Sequence, residues 1–249
     1  MQPNATKTAT VNGVELVYDT WGRGEPLLLL HGMGGCAADW RYAGRESLAR
    51  DYELYAVDAR GHGRSTGRMT THRQHAADVL ALLDQVGIQR CRAIGLSMGG
   101  NTLLHVASQS PARIDSMVIV SATPYFPEQA RAIMRQLTPE SHSEAEWKEM
   151  RARHVHGDEQ IRAIFQAQHE LRNSHDDLCF TPAELARVTA RTLIVYGDRD
   201  PLYPVGLGVE LYRSLPRAQL WVVPNGGHGP VYLDAAEPFA RAALAFLSE

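Results

Sequence analysis

The sequence predicts an α/β protein: an open, mostly parallel sheet with helices on both faces, interrupted by a helical insertion. Three observations carry this. Runs of β type alternate with amphipathic runs of helical period at both ends of the chain. The run Leu27 to Leu30 is apolar without alternation, which suits a strand buried on both faces. Between residues 124 and 188 the strands stop, and the text becomes polar and helical.

The elements follow in order. VELVYDTW (Val14 to Trp21) alternates like a strand, with Asn12-Gly13 as the turn before it. PLLLLHG is the next strand, and ADWRYAGRESLARDY has helical period. ELYAVDARG reads as a strand running into a polar loop. THRQHAADVLALLDQVG is an amphipathic helix stopped by Gly87. CRAIGLS is a strand, MGGNTLLHVASQSP a helix closed before Pro111, and IDSMVIVSA a strand. PEQARAIMRQL, SEAEWKEMRARHV and DEQIRAIFQAQHEL are helices of the insertion. The strand RTLIVYG, the helix VGLGVELYRSL, the strand QLWVVP and the helix AAEPFARAALAFLSE complete the chain. The expected organisation is a core of residues 1–123 and 189–249 with a cap of residues 124–188. Ligand sites in such sheets lie beyond the carboxyl ends of the strands, so a helical insertion there is expected to act as a lid.

A chain of 249 residues is ample for one buried core. A net charge of −3 with no basic stripe argues against a nucleic-acid partner. Cys36, Cys91 and Cys179 are odd in number and widely spaced, which argues against a disulfide framework or a zinc site and fits a reducing cytoplasm. No signal-peptide pattern and no apolar run long enough for a membrane span is present. A cytoplasmic location is expected, with no membrane partner. Oligomeric state is left open.

In CRAIGLSMGGNTLLHVA, Ser97 stands between Gly95 and Gly99 where a strand gives way to a helix. G-x-S-x-G in that setting holds a serine on a sharp, strained turn, and the glycines avoid collisions between strand and helix. The Met98 N–H then faces the reaction site at a helix N-terminus, which favours negative charge. The blander reading is a helix-capping serine in a glycine-rich turn.

A serine hydroxyl needs a base, a group to orient that base, and donors for the oxyanion. Two carboxylates, Asp198 and Asp200, follow the strand TLIVYG, and Asp is also common in plain turns. Of eleven histidines, those on helices (His72, His75, His105, His142, His154, His156, His169, His175) are expected to be surface or half-buried residues. His228 differs, because the glycine-rich loop NGGHGP after the last strand lets an imidazole reach over the sheet edge. HGMGG (His31 to Gly35) leaves another strand, and its glycines free the backbone to turn amides inward, Met33 being the expected second donor.

Together, HGMGG, Trp40, VDARGHGRS, GLSMGG, YGDRDPLYP and GGHGP make the chain resemble the α/β-hydrolase superfamily over essentially its whole length. The resemblance implies a nucleophile at Ser97, a base at His228 and oxyanion amides at Met33 and Met98. It implies an acid at Asp200, because the family pattern G-x-x-D counts from Gly197. His31 sits where the family keeps a histidine bracing the oxyanion loop. Asp58, Arg60, Gly61, His62, Gly63 and Ser65 match a family turn and are expected to be structural. Relatives with an aspartate nucleophile are argued against by Ser97, and Leu96 stands where carbon–carbon bond hydrolases often carry asparagine.

The expected activity is cleavage of a small to medium carboxylic ester through an acyl-enzyme on Ser97, with no metal or cofactor required. Alternatives on the same residues are an enol-lactonase or other lactonase, a carbon–carbon bond hydrolase and a cofactor-free perhydrolase. A non-catalytic small-molecule-binding protein is the rival from another class. Gly32, Tyr125, Phe126, Trp147 and Phe165 are expected to contact substrate, with Ile161, Ile164 and Leu171 as further candidates for facing the site. Ile161, Ile164, Phe165 and Gln168 have helical spacing, which also suits packing of the cap onto the body.

Overall fold

A computed structural model describes residues 2–249. Its eight strands form one sheet in the order β1-β2-β4-β3-β5-β6-β7-β8. The strands are β1 (Ala5–Val11), β2 (Val14–Trp21), β3 (Glu25–Leu30), β4 (Tyr52–Val57), β5 (Cys91–Leu96), β6 (Ile114–Val120), β7 (Arg191–Gly197) and β8 (Ala218–Val223). From β4 to β8 every neighbour is parallel, while β1 and β2 form an antiparallel hairpin on one edge. The helices are α1 (Arg45–Leu48), α2 (His72–Gln85), α3 (Met98–Gln109), α4 (Glu128–Gln136), α5 (Glu144–Arg153), α6 (Asp158–Glu170), α7 (Pro182–Leu185), α8 (Val205–Ser214) and α9 (Ala236–Ser248).

The Leu run behaves as its lack of alternation predicts. Leu28 and Leu30 join an apolar cluster with α2, α3 and α8, whereas Leu27 and Leu29 face the opposite cluster with α1 and α9. Each such leucine, fully removed from water, contributes roughly 1.5–3 kcal/mol, which holds both helical layers against β3.

The structure differs from the sequence reading in three places. The stretch expected as one helix over residues 38–52 is a 3-10 turn (Ala37–Tyr42) and the four-residue α1, broken at Gly44. Gly44 takes φ 78°, where a side chain would be strained, and a Cβ there would lie 2.6 Å from Ala240 of α9. The strand β1 was hidden by its polar composition. It is an edge strand whose alternate residues face water, and the Asn12-Gly13 turn pairs it with β2. The four-residue α7, capped by the Thr181 and Glu184 side chains, also escaped the pattern.

Between β6 and β7 lie α4 to α7 and, among the described residues, no strand beyond an isolated bridge of Tyr125 with Cys179. Trp147, Met150, Ile161, Ile164 and Phe165 form a separate small apolar cluster there, and Met33 packs against it from the core. The three cysteines are free. Among the described residues no helix is long and apolar enough to cross a membrane.

Candidate active site

Four loops leave the carboxyl ends of the parallel strands β3, β5, β7 and β8, and they bring together His31 to Gly35, Ser97, Asp200 and His228. Ser97 occupies the step between β5 and α3 with φ 49° and ψ −109°. For a residue with a side chain such geometry costs on the order of 1–3 kcal/mol and is retained only where the surroundings enforce it. They do so here through close packing. A Cβ on Gly99 would lie 2.1 Å from the Leu30 carbonyl oxygen, and one on Gly95 would lie 2.5 Å from the Gly99 backbone. The Ser97 N–H donates to Val120 O at 2.7 Å, tying the turn to β6. Its side chain caps no amide, so the helix-capping reading fails.

The serine hydroxyl lies 2.8 Å from His228 Nε2, and His228 Nδ1 lies 2.8 Å from Asp200 Oδ2. Asp200 can only accept, so the Nδ1–H donates to it, Nε2 is left bare, and the Ser97 O–H donates to Nε2. Asp200 Oδ1 accepts the N–H groups of Leu202 and Tyr203 at 2.8 and 3.0 Å. Burial raises the pKa of Asp200, but the His228 ring and these amides outweigh it and hold the carboxyl below its ordinary value. Asp198, the other carboxylate of the loop, is exposed. Arg199 N–H donates to Gly226 O at 2.9 Å, which fixes the acid loop against the histidine loop. The Tyr203 ring meets His228 edge-on at 5.1 Å and limits its rotation.

The HGMGG loop reaches the same point. A Cβ on Gly32 would lie 3.6 Å from that of Ser97, and Gly32, Met33 and Met98 line the cavity with Ser97. Met98 is the first residue of α3, so its N–H has no intrahelical acceptor. His31 braces the loop: its Nδ1–H donates to Gly32 O at 2.7 Å and its Nε2 accepts the Ala59 N–H at 3.0 Å.

The turn after β4 is wholly committed to bracing. Asp58 is buried and accepts the Ala37 N–H, the Arg64 N–H and Arg64 Nε at 2.7, 3.0 and 2.7 Å, while Arg64 also forks onto Asp19. Arg60 forks onto Asp78, and Ser65 Oγ donates to Asp58 O. His62 donates to Arg60 O and does not line the cavity beside Ser97.

That cavity has a volume of about 370 Å³ and is closed partly by Phe126, Met134, Gln168, Leu171 and Tyr232. Of the residues expected to contact substrate, Gly32 and Phe126 line it. Phe165 lines an adjoining cleft of about 430 Å³ that shares Gly32, Met33, Leu96, Gln168 and Tyr232. Tyr125 and Trp147 line neither: the Tyr125 hydroxyl turns outward to Glu210 at 3.0 Å, and Trp147 packs edge-on to Phe165 with Arg151 and Arg162 over its ring. Leu171, a sequence candidate for facing the site, lines it, whereas Met134, Tyr203 and Tyr232 carried no signal beyond their apolar or aromatic character.

Four histidines expected at or near the surface are instead buried: His72, His75, His105 and His154. His154 ends α5 and bridges the helical block to the core. It accepts the Gly63 N–H on Nδ1 at 2.8 Å and donates from Nε2 to Gly34 O at 3.1 Å. Burial pushes the His154 and His105 rings down to about 4 and the His75 ring to about 3. These rings are neutral when folded, but each takes up a proton in the unfolded chain below roughly pH 6.5. Stability therefore falls as the pH drops from about 6.5 toward 4, by up to roughly 1.4 kcal/mol per pH unit for each ring. Urea midpoints measured across that window are expected to decline steadily, and a flat profile would contradict the burial of neutral rings.

Residues 27–242 match the model of the alpha/beta hydrolase family. The chain belongs to this family and is a hydrolase. It is 28% identical to a 2-hydroxy-6-oxononadienedioate/2-hydroxy-6-oxononatrienedioate hydrolase of Pseudomonas putida, covering 94% of this chain and 92% of that one. It is also 28% identical to the pimeloyl-[acyl-carrier protein] methyl ester esterase of Nitrosomonas europaea, covering 89% and 95%. The crystal structure of an enol-lactonase from Burkholderia xenovorans superposes with a TM-score of 0.77 at 22% identity, covering 98% of this chain and 100% of that one.

Proposed function

We propose that the protein hydrolyses a carboxylic ester of a small to medium acyl compound through an acyl-enzyme on Ser97. The observation that carries this reading is the unbroken hydrogen-bond chain from Asp200 through His228 to a strained, cavity-lining Ser97. Ser97 Oγ adds to the carbonyl carbon while His228 Nε2 takes its proton. Asp200 holds the ring in the required tautomer and stabilises its charge. The Met33 and Met98 amides stabilise the oxyanion, at roughly 3 kcal/mol per donor by comparison with other serine hydrolases. The tetrahedral adduct collapses, the alcohol leaves with the proton from His228, and water repeats the sequence on the acyl-enzyme.

The block of residues 124–188 serves as a cap over this site, since Phe126, Met134, Gln168 and Leu171 come from it. The similar proteins carry the names of a nonadienedioate hydrolase, a methyl ester esterase and an enol-lactonase. Leu96 before the serine favours the ester reading over carbon–carbon cleavage. The test is a side-by-side assay of p-nitrophenyl esters, enol lactones and vinylogous diketones. Ester turnover with a burst of one p-nitrophenolate per enzyme is expected; turnover of diketones alone would overturn the reading.

A further inference from the structure

The cavity beside Ser97 holds a second imidazole, which the reaction above does not use. His72 is the first residue of α2 and is 1% exposed, yet it lines the cavity. Its Nδ1 lies 2.6 Å from Asp177 Oδ2, shorter than the 2.8 Å between His228 and Asp200. Asp177 also accepts the N–H groups of His72 and Arg73 at 2.7 and 3.1 Å. Burial raises the pKa of Asp177, but the His72 ring and the two amides outweigh it and hold the carboxyl at about 2. A carboxylate only accepts, so His72 Nδ1 carries the proton, and in the neutral ring Nε2 keeps its lone pair. Among the described residues Nε2 has no hydrogen-bond partner. Apolar side chains share this cavity: the Phe126 ring centroid lies 5.9 Å from that of His72, and Met134 and Leu171 line the same space.

We infer that His72 is a positioning residue whose Nε2 accepts a hydrogen bond from a hydroxyl or amide N–H on the substrate, so that the site takes a hydroxylated or amide-bearing acyl compound in preference to a plain alkyl one. This rests on the Ser97 reading above. The Asp177 carboxylate behind the ring increases the pull of Nε2 on a donor and repels an anionic group at the same place. An alkyl group filling the cavity would instead strip water from Nε2 and replace it with nothing, a penalty of roughly ten- to a hundredfold in kcat/KM. The Asp177 contact also ties residues 124–188 to α2, so the experiment must separate positioning from support.

The test compares p-nitrophenyl esters of ω-hydroxy acids of increasing length with their ω-methyl isosteres and with the matching dicarboxylate monoesters, on the wild-type chain and on His72→Phe. At one chain length the wild type is expected to prefer the hydroxy ester over its isostere by roughly ten- to a hundredfold, mainly in KM. His72→Phe is expected to lose that preference through a rise in kcat/KM for the isostere, because no buried acceptor is left to desolvate, an outcome a supporting role would not give. The inference is overturned if no length shows the preference, if His72→Phe keeps it, or if the carboxylate ester is the best substrate. If His72→Phe does not fold, His72→Gln keeps an acceptor and is expected to retain part of the preference; complete loss there also overturns the inference. Fluorophosphonate labelling of Ser97 is read in parallel. Labelling without any hydroxyl preference defeats this inference alone, whereas no labelling defeats the Ser97 reading beneath it.

Discussion

Ser97→Ala is expected to reduce ester turnover to background, a loss in kcat on the order of 10⁶-fold for a serine hydrolase, while leaving the melting transition in place. The size of the effect follows from the geometry. Ser97 Oγ is the only atom of the Asp200–His228–Ser97 chain that faces the cavity as a nucleophile, and the turn beneath it is held by Gly95, Gly99 and the bond to Val120 O rather than by the hydroxyl. Removing that oxygen takes away no packing, and the hydrogen bond it removes is the one to His228. The strain at φ 49° remains, so stability is expected to change by less than about 1 kcal/mol. Wild-type turnover in this variant would refute the assignment, and a collapsed melting transition would refute the account of the turn.

The two aspartates of one loop provide the second large contrast. Asp200→Asn is expected to lower kcat by roughly 10⁴-fold, because an amide presented to His228 Nδ1 favours the tautomer that places the proton on Nε2, where it can no longer accept from Ser97. Asp198→Asn, only two residues away, is expected to leave kcat within about twofold, since its side chain is exposed and contacts nothing in the site. The comparison uses the same substitution in the same turn, so a nonspecific effect of charge loss would appear in both. Equal losses would show that the loop as a whole, rather than the His228 contact, matters.

Much of this was legible in the sequence, for a physical reason. Each of the four loops follows a run of strong β character, and parallel strands deliver their carboxyl ends to one edge of the sheet. Ser97, His228 and the HGMGG loop could therefore be placed together from the sequence, whereas only the resemblance, through its G-x-x-D count from Gly197, separated Asp200 from Asp198. The doubly buried β3 was equally plain, because Leu27 to Leu30 has no polar side to offer water.

What was not legible depends on contacts between distant parts of the chain. His72 looks like an ordinary residue on an amphipathic helix until Asp177, 105 positions later, is folded against it. His154 is buried only because Gly34 and Gly63 supply partners from two separate core loops. Periodicity put Phe165 on one face of its helix with Ile161, Ile164 and Gln168, but what that face and Trp147 meet is decided by how the helices dock. Trp147 ends under Arg151 and Arg162, and Phe165 ends in the adjoining cleft. The break at Gly44 likewise arises from the approach of Ala240 on α9, which helical period alone does not reveal.

The central claim is that Ser97 is an activated nucleophile, and reaction with a fluorophosphonate tests it most directly. Intact-mass and peptide mass spectrometry of the treated protein are expected to show one adduct, on Ser97, formed rapidly by the wild type and far more slowly by His228→Ala. No adduct on Ser97, or an adduct that forms as fast without His228, would contradict the account.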